Sequence, residues 1–81
     1  MVATELEIQG ELIRLRSMLR SGRARQLVKD AGLTTVAVAE IIGVAQPNAW
    51  KYLAGEQFPR RAAALKLLHL LDQLEVVRDA S

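Results

Sequence analysis

The chain has 81 residues, 51% of them hydrophobic and 25% charged, with 11 Lys and Arg against 9 Asp and Glu and a pI near 9.5. That length fits one domain burying about 60–65% of the surface its unfolded chain exposes, and the composition excludes disorder and a histone-like polycation. With no cysteine and the single histidine His69, disulfide frameworks, zinc fingers, thiol catalysis and histidine-centred triads are excluded as well.

The opening, Met1-Val2-Ala3-Thr4-Glu5-Leu6-Glu7, is acidic and lacks the basic and apolar parts of a secretory leader. No apolar run reaches the roughly 18–20 residues of a membrane span, so the expectation is a cytoplasmic module without a membrane partner. Breaks at Ser21-Gly22, Gly32, Gly43, Gly55 and Pro59 separate stretches of helical period, and none alternates long enough for a strand. The spacing predicts an all-α fold of five helices at about 4–20, 23–31, 35–42, 46–54 and 60–77.

The first helix carries two apolar stripes. Ile8, Leu12, Leu15 and Leu19 are spaced like a heptad seam, and Leu6 and Ile13 lie almost opposite. One stripe can enter the domain core while the other meets a partner, and the seam of Ile8, Leu12, Leu15 and Leu19 is the candidate partner surface. Residues 1–21 are accordingly an added element before a domain at 22–78. Gly10 weakens this helix and suggests a break or the close approach of another backbone. After three acids in residues 1–11, Arg14, Arg16, Arg20, Arg23, Arg25 and Lys29 form an unbroken run of bases.

The centre reads as a helix–turn–helix. Thr34 or Thr35 caps a two-turn helix over Val36–Ile42, Gly43 closes it, and a second helix starts at Ala45-Gln46-Pro47, where proline loses no bond. Ala39 is small where the two helices cross, and Val38, Ile42, Val44, Ala49 and Tyr52 hold the inward spacings. Two short helices around a glycine turn make the bihelix whose second member enters the major groove.

The run Gly32-Leu33-Thr34-Thr35-Val36-Ala37-Val38-Ala39-Glu40-Ile41-Ile42-Gly43-Val44-Ala45-Gln46 resembles the Cro/C1-type repressor helix–turn–helix, whose pattern is G-L-T-Q-x-x-L-A-x-x-L-G-V-S. The likeness continues without a gap through Leu53-Ala54-Gly55, Pro59 and the Leu65-Lys66-Leu67-Leu68 helix, and covers about Gly22 to Leu74. It implies a five-helix Cro/C1 repressor-like domain that reads operators as a dimer. Thr35 stands where the family has a phosphate-touching Gln. Gln46 opens the recognition helix and suits adenine, Lys51 reaches guanine or phosphate, and Asn48 flanks the face or caps the helix. Pro47, Trp50 and Ala54 also point outward, a face poor in hydrogen-bonding groups, where Pro47 and Trp50 suit thymine methyls or sugars. The alternative for Trp50 is a place in the core, since the chain has only three aromatic residues.

For the DNA backbone the candidates are Arg23 and Arg25, which begin a helix, with Thr35 and the pair Arg60 and Arg61. Two cations at a helix start oppose its dipole, and a bound phosphate would reverse that cost. In the last helix Ala63, Ala64, Leu67, Leu70, Leu71, Leu74 and Val77 form one face, and Leu65 and Leu68 spill past it as further partner-surface candidates. Val36 and Ile41 add apolar groups where the family has polar ones, which points to self-association.

No catalytic constellation, metal site or cofactor loop is present in the pattern, so the expectation is a non-enzyme without cofactor. The leading expectation is a dimeric, sequence-specific repressor of a phage or bacterial operon, bound to double-stranded DNA through the 46–54 helix. The alternatives are an antitoxin that binds its toxin and autoregulates, and a protein-interaction module with a degenerate reading face.

Overall fold

The structure, a computed structural model, describes residues 4–80; Met1–Ala3, part of the leader reading above, and Ser81 lie outside it. Five helices and no strand occur among the described residues: α1 (Glu5–Ser21), α2 (Arg23–Asp30), α3 (Thr35–Ile42), α4 (Gln46–Leu53) and α5 (Arg61–Ala80). The expected all-α order holds, with boundaries displaced by up to three residues. The α1 helix starts where the Thr4 hydroxyl accepts from the Glu7 amide at 3.2 Å, satisfying one of the donors a first turn leaves open. Thr34, not Thr35, caps α3 by accepting from the Ala37 amide at 3.1 Å.

One core serves the whole chain. Leu15, Leu27, Val38, Ile42, Leu67, Leu68 and Leu71 are its largest fully buried side chains, and α5 packs against α1, α2 and α3. The α1 helix places Leu15, Met18 and Leu19 in that same core, so it packs as part of the domain. This corrects the partner-surface expectation. Leu15, Leu19 and Leu68 are buried within the chain, Leu12 packs against the core, and Ile8 and Leu65 are half-buried. The physical reason is that the Ile8–Leu19 seam is the stripe turned toward α2 and α5, which leaves the opposite stripe, with Leu6 83% and Ile13 68% exposed, in solvent. Val77 is also outside the core, because only the end of α2 lies beside the last turns of α5.

Ion pairs stitch the outer helices together. Arg14 grips Asp72 through two parallel hydrogen bonds of 2.9 and 3.0 Å. Arg61 donates to Glu5 at 2.6 Å, Arg23 reaches Glu75 at 3.5 Å, and Arg78 lies 3.7 Å from Asp30. The Arg14 hydrogen bonds hold the Asp72 carboxyl below its ordinary value of 3.8, and the Arg61 hydrogen bond does the same for Glu5.

Two glycines make opposite demands. Gly55 has φ +76°, and a Cβ there would stand 3.2 Å from the Leu19 carbonyl oxygen, so the turn after α4 lies against the end of α1. Gly10 lies inside a continuous α1, and a Cβ there would meet nothing within 4 Å. Within the protomer Gly10 is therefore neither a break nor a close-approach point. In urea unfolding, Gly10→Ala should stabilise the monomer by about 0.5–1 kcal/mol. Gly55→Ala should destabilise by about 1–2 kcal/mol from the left-handed backbone alone. Asp72→Asn should cost up to about 1 kcal/mol at pH 7, a value limited by solvent screening of a half-exposed pair. Because the folded carboxyl is held below its unfolded value, that contribution is complete above the unfolded value and is lost as pH falls through the folded one. Unfolding curves of the two proteins should therefore converge once the pH falls below the lowered, folded-state value of Asp72.

Candidate nucleic-acid interface

The bihelix is built from a few local decisions. Gly43 takes φ +75° and ψ 37°, so the chain leaves α3 in the left-handed conformation, and the amides of Gly43 and Val44 both donate to the Ala39 carbonyl at 2.9 and 3.0 Å. Lys66 adds charge at this corner: its Nζ is 3.8 Å from where a Gly43 Cβ would stand, beside the partly negative C-terminus of α3. Ala39 and Ala49 are both buried, and such small residues let the axes of α3 and α4 approach closely. Val38, Ile42 and Tyr52 are buried and Val44 packs against the core, as the spacing predicts.

On α4, Ala49, Tyr52 and Leu53 turn inward. Gln46, Pro47, Asn48, Trp50 and Lys51 are all exposed, with Ala54 beyond them. Trp50 is 53% exposed, so its indole is not spent on the core. Asn48 does not cap the helix. The cap position is Ala45, with extended backbone (φ −69°, ψ 147°) and no side-chain hydrogen bond, where the Cro/C1 pattern has serine.

Trp50 forms one wall of a groove of about 360 Å³ between α2, the start of α3 and α4. Val28, Leu33 and Leu53 supply its apolar part, and Arg25, Lys29 and Thr35 supply polar groups. Three of the expected DNA-contacting residues, Arg25, Thr35 and Trp50, thus come together. Lys29 joins them; the sequence signal was its position four residues after Arg25, which puts both on one helix face. Among the described residues Arg25, Lys29, Lys51 and Arg60 have no acidic partner within the chain, and the Thr35 hydroxyl makes no hydrogen bond.

Two expected backbone residues are placed differently. Arg23 and Arg61 are engaged in the ion pairs to Glu75 and Glu5, so a bound phosphate is not needed to explain a cation at the start of α5. Glu5 lies 56 residues from Arg61 in sequence, and no local pattern reports such a pairing. Arg60 precedes α5, which begins at Arg61, and is exposed.

Among the described residues no group of three His, Asp or Glu side chains stands close enough to hold a metal ion, and no helix is long and apolar enough to cross a membrane. A family model described as a helix-turn-helix domain matches residues 21–80, a span that begins at the end of α1 and takes in both helices of the bihelix. No curated protein and no solved structure matches the chain.

Ala45→Ser supplies the missing cap. The Asn48 amide already reaches the Ala45 carbonyl at 3.0 Å, so the gain should fall at the low end of capping effects. Thermal unfolding should show stabilisation of about 0.5–1 kcal/mol.

Proposed function

The chain belongs to the helix-turn-helix domain family, and on that premise we propose that it is a sequence-specific transcription regulator, a dimeric repressor of a phage or bacterial operon. In this reading α4 of each subunit enters the major groove of double-stranded DNA, successive half-sites lie about 34 Å apart, and occupancy of a promoter blocks polymerase. The fold is all-α and Cro/C1-like.

One observation carries the reading. The exposed face of α4 is flanked by Arg25 and Lys29, two cations without an internal acid, while Arg14, Arg23, Arg61 and Arg78 sit beside acids elsewhere on the chain. A surface that keeps its cations unneutralised beside a reading helix suits phosphate on either side of a groove. Gln46 and Asn48 are the side chains suited to adenine edges, and Lys51 to guanine or phosphate. Pro47 and Trp50 offer apolar contact to thymine methyls or sugars. Arg25, Lys29, Thr35 and Arg60 are the backbone set; Arg23 and Arg61 leave it because of their ion pairs.

Selection of bound fragments from sheared genomic DNA near physiological salt tests the proposal. Enrichment of a short inverted repeat is the expected result, and an adjoining toxin gene would shift the reading to an autoregulating antitoxin. If no fragment rises above a salt-sensitive background, the regulator reading falls and a protein-interaction module replaces it. On the selected site, Trp50→Ala should weaken binding by about tenfold, the scale of one lost base contact, while leaving cooperative melting intact. Arg25→Ala and Lys29→Ala should each reduce the slope of log K against log salt by about 0.9 per subunit, and Arg23→Ala should leave that slope unchanged.

A further inference from the structure

The outward stripe of α1 has no use inside the protomer. Leu6, Gly10, Ile13 and Ser17 follow one another at heptad-like spacing and fall within about 60° of one another on the helix, directly opposite the buried Leu15 side. Leu6 and Ile13 are largely exposed, and nothing in the chain approaches Gly10. A glycine in mid-helix and two large apolar groups in water are each unfavourable, and a neighbouring helix lying along the stripe removes the second cost and offsets the first through the close approach that glycine permits.

Charge identifies the neighbour. The first half of α1 carries Glu5, Glu7 and Glu11, and the second half carries Arg14, Arg16 and Arg20. Glu5 and Glu11 have intrachain partners in Arg61 and Arg14, while Arg14 also holds Asp72 and Arg16 stacks 4.5 Å over the Phe58 ring. Glu7 and Arg20 remain, at opposite ends of the stripe and without an ion pair among the described residues. A second α1 running antiparallel sets acidic half against basic half; a parallel one sets like against like.

We infer that α1 packs antiparallel on α1 of a second copy of this chain through Leu6, Gly10, Ile13 and Ser17, an inference that rests on the dimeric part of the proposed function. In the register that joins Glu7 to the partner's Arg20 twice, the two Ile13 side chains flank the two-fold axis. Gly10 then faces Ser17 across the interface, small against small. Each Leu6 meets the open groove of about 460 Å³ lined by Ile13, Arg16, Ser17, Arg20 and Ser21 of the other copy. Helix axes about 8–10 Å apart bring facing Cα atoms within about 4–6 Å, inside disulfide range.

The chain has no cysteine, so an introduced thiol is unique. Under mild oxidation Ile13→Cys should crosslink nearly completely to itself, and a mixture of Gly10→Cys with Ser17→Cys should give the heterodimer in preference to either homodimer. Ile41→Cys, exposed on α3, is the control and should stay monomeric in denaturing gels. By sedimentation, Glu7→Arg should weaken self-association at least tenfold, and adding Arg20→Glu in the same chain should restore it; circular dichroism melting confirms folding of each variant. Self-crosslinking of Gly10→Cys in preference to the mixture overturns the antiparallel register. A dimer by sedimentation in which Ile13→Cys fails to crosslink overturns the α1 contact and leaves the dimeric regulator standing. A monomer at every concentration, binding its selected DNA one subunit per site, overturns both.

Discussion

Everything in this molecule hangs on the buried face of α5. Ala64, Leu67, Leu68, Leu70 and Leu71 are the residues that α1, α2 and α3 close around. The reading helix is not among the elements packed extensively against α5: α4 packs on α3, and α3 in turn packs on α5. The orientation of α4 is therefore set chiefly by α3 and the Gly43 corner, with the Gly55 turn against the end of α1 holding its other end. Replacing a buried leucine of α5 by alanine removes about 2–5 kcal/mol, a large share of the stability of a domain this small. The same loss would loosen α3 and, through it, the exposed face of α4, so in the proposed reading core damage and loss of DNA binding are coupled.

Charge is divided by a similar logic. The acids of α5 and the start of α1 lie where they meet Arg14, Arg23 and Arg61, and each such pair is individually modest because it is partly exposed. Their larger effect is on what remains. A formal excess of only two positive charges is too little to attract DNA to an evenly charged surface, and pairing Arg14, Arg23 and Arg61 with acids leaves Arg25, Lys29 and Lys51 among the cations that keep an unneutralised charge.

What the sequence shows and what it hides follow from the range of the forces. The Gly43 turn and the inward set Val38, Ala39, Ile42, Ala49 and Tyr52 follow from spacing within one or two turns, and the bihelix was legible from them. The choice of Thr34 over Thr35 as cap, and of an outward over a buried Trp50, is decided by the folded chain. The fate of α1 was not legible either. A helix with two apolar stripes is symmetric as a pattern, and only its packing against α2 and α5 decides that Leu15 and Leu19 go in while Leu6 and Ile13 stay out. Arg61 with Glu5 and Arg14 with Asp72 are more than fifty residues apart in sequence, so the expected phosphate role of Arg61 rested on half of a pair. Lys29 was visible in the basic run; its place beside Trp50 depends on how α2 meets α4, which no local pattern encodes.

In the proposed reading, the poverty of the α4 face is what gives a second copy its importance. Each good bidentate side chain–base pair is worth about 1–3 kcal/mol of discrimination, and α4 offers few groups able to form one: Gln46, Asn48 and Lys51 among Pro47, Trp50 and Ala54. A single subunit on that budget cannot separate its site from a genome of competitors. Two subunits on one duplex double the base contacts, and once the first is bound the second acts at an effective concentration that reaches the millimolar range for a short, geometrically matched connection. The contact between subunits can then be small. A single helix pair is a small contact beside the roughly 800 Å² per partner of a standard interface, so the proposed dimer is weak and concentration-dependent in free solution. On DNA it need only favour correctly spaced half-sites over others, so the proposed α1 contact, weak as it is, would supply the spacing rule that the side chains of α4 are too few to impose.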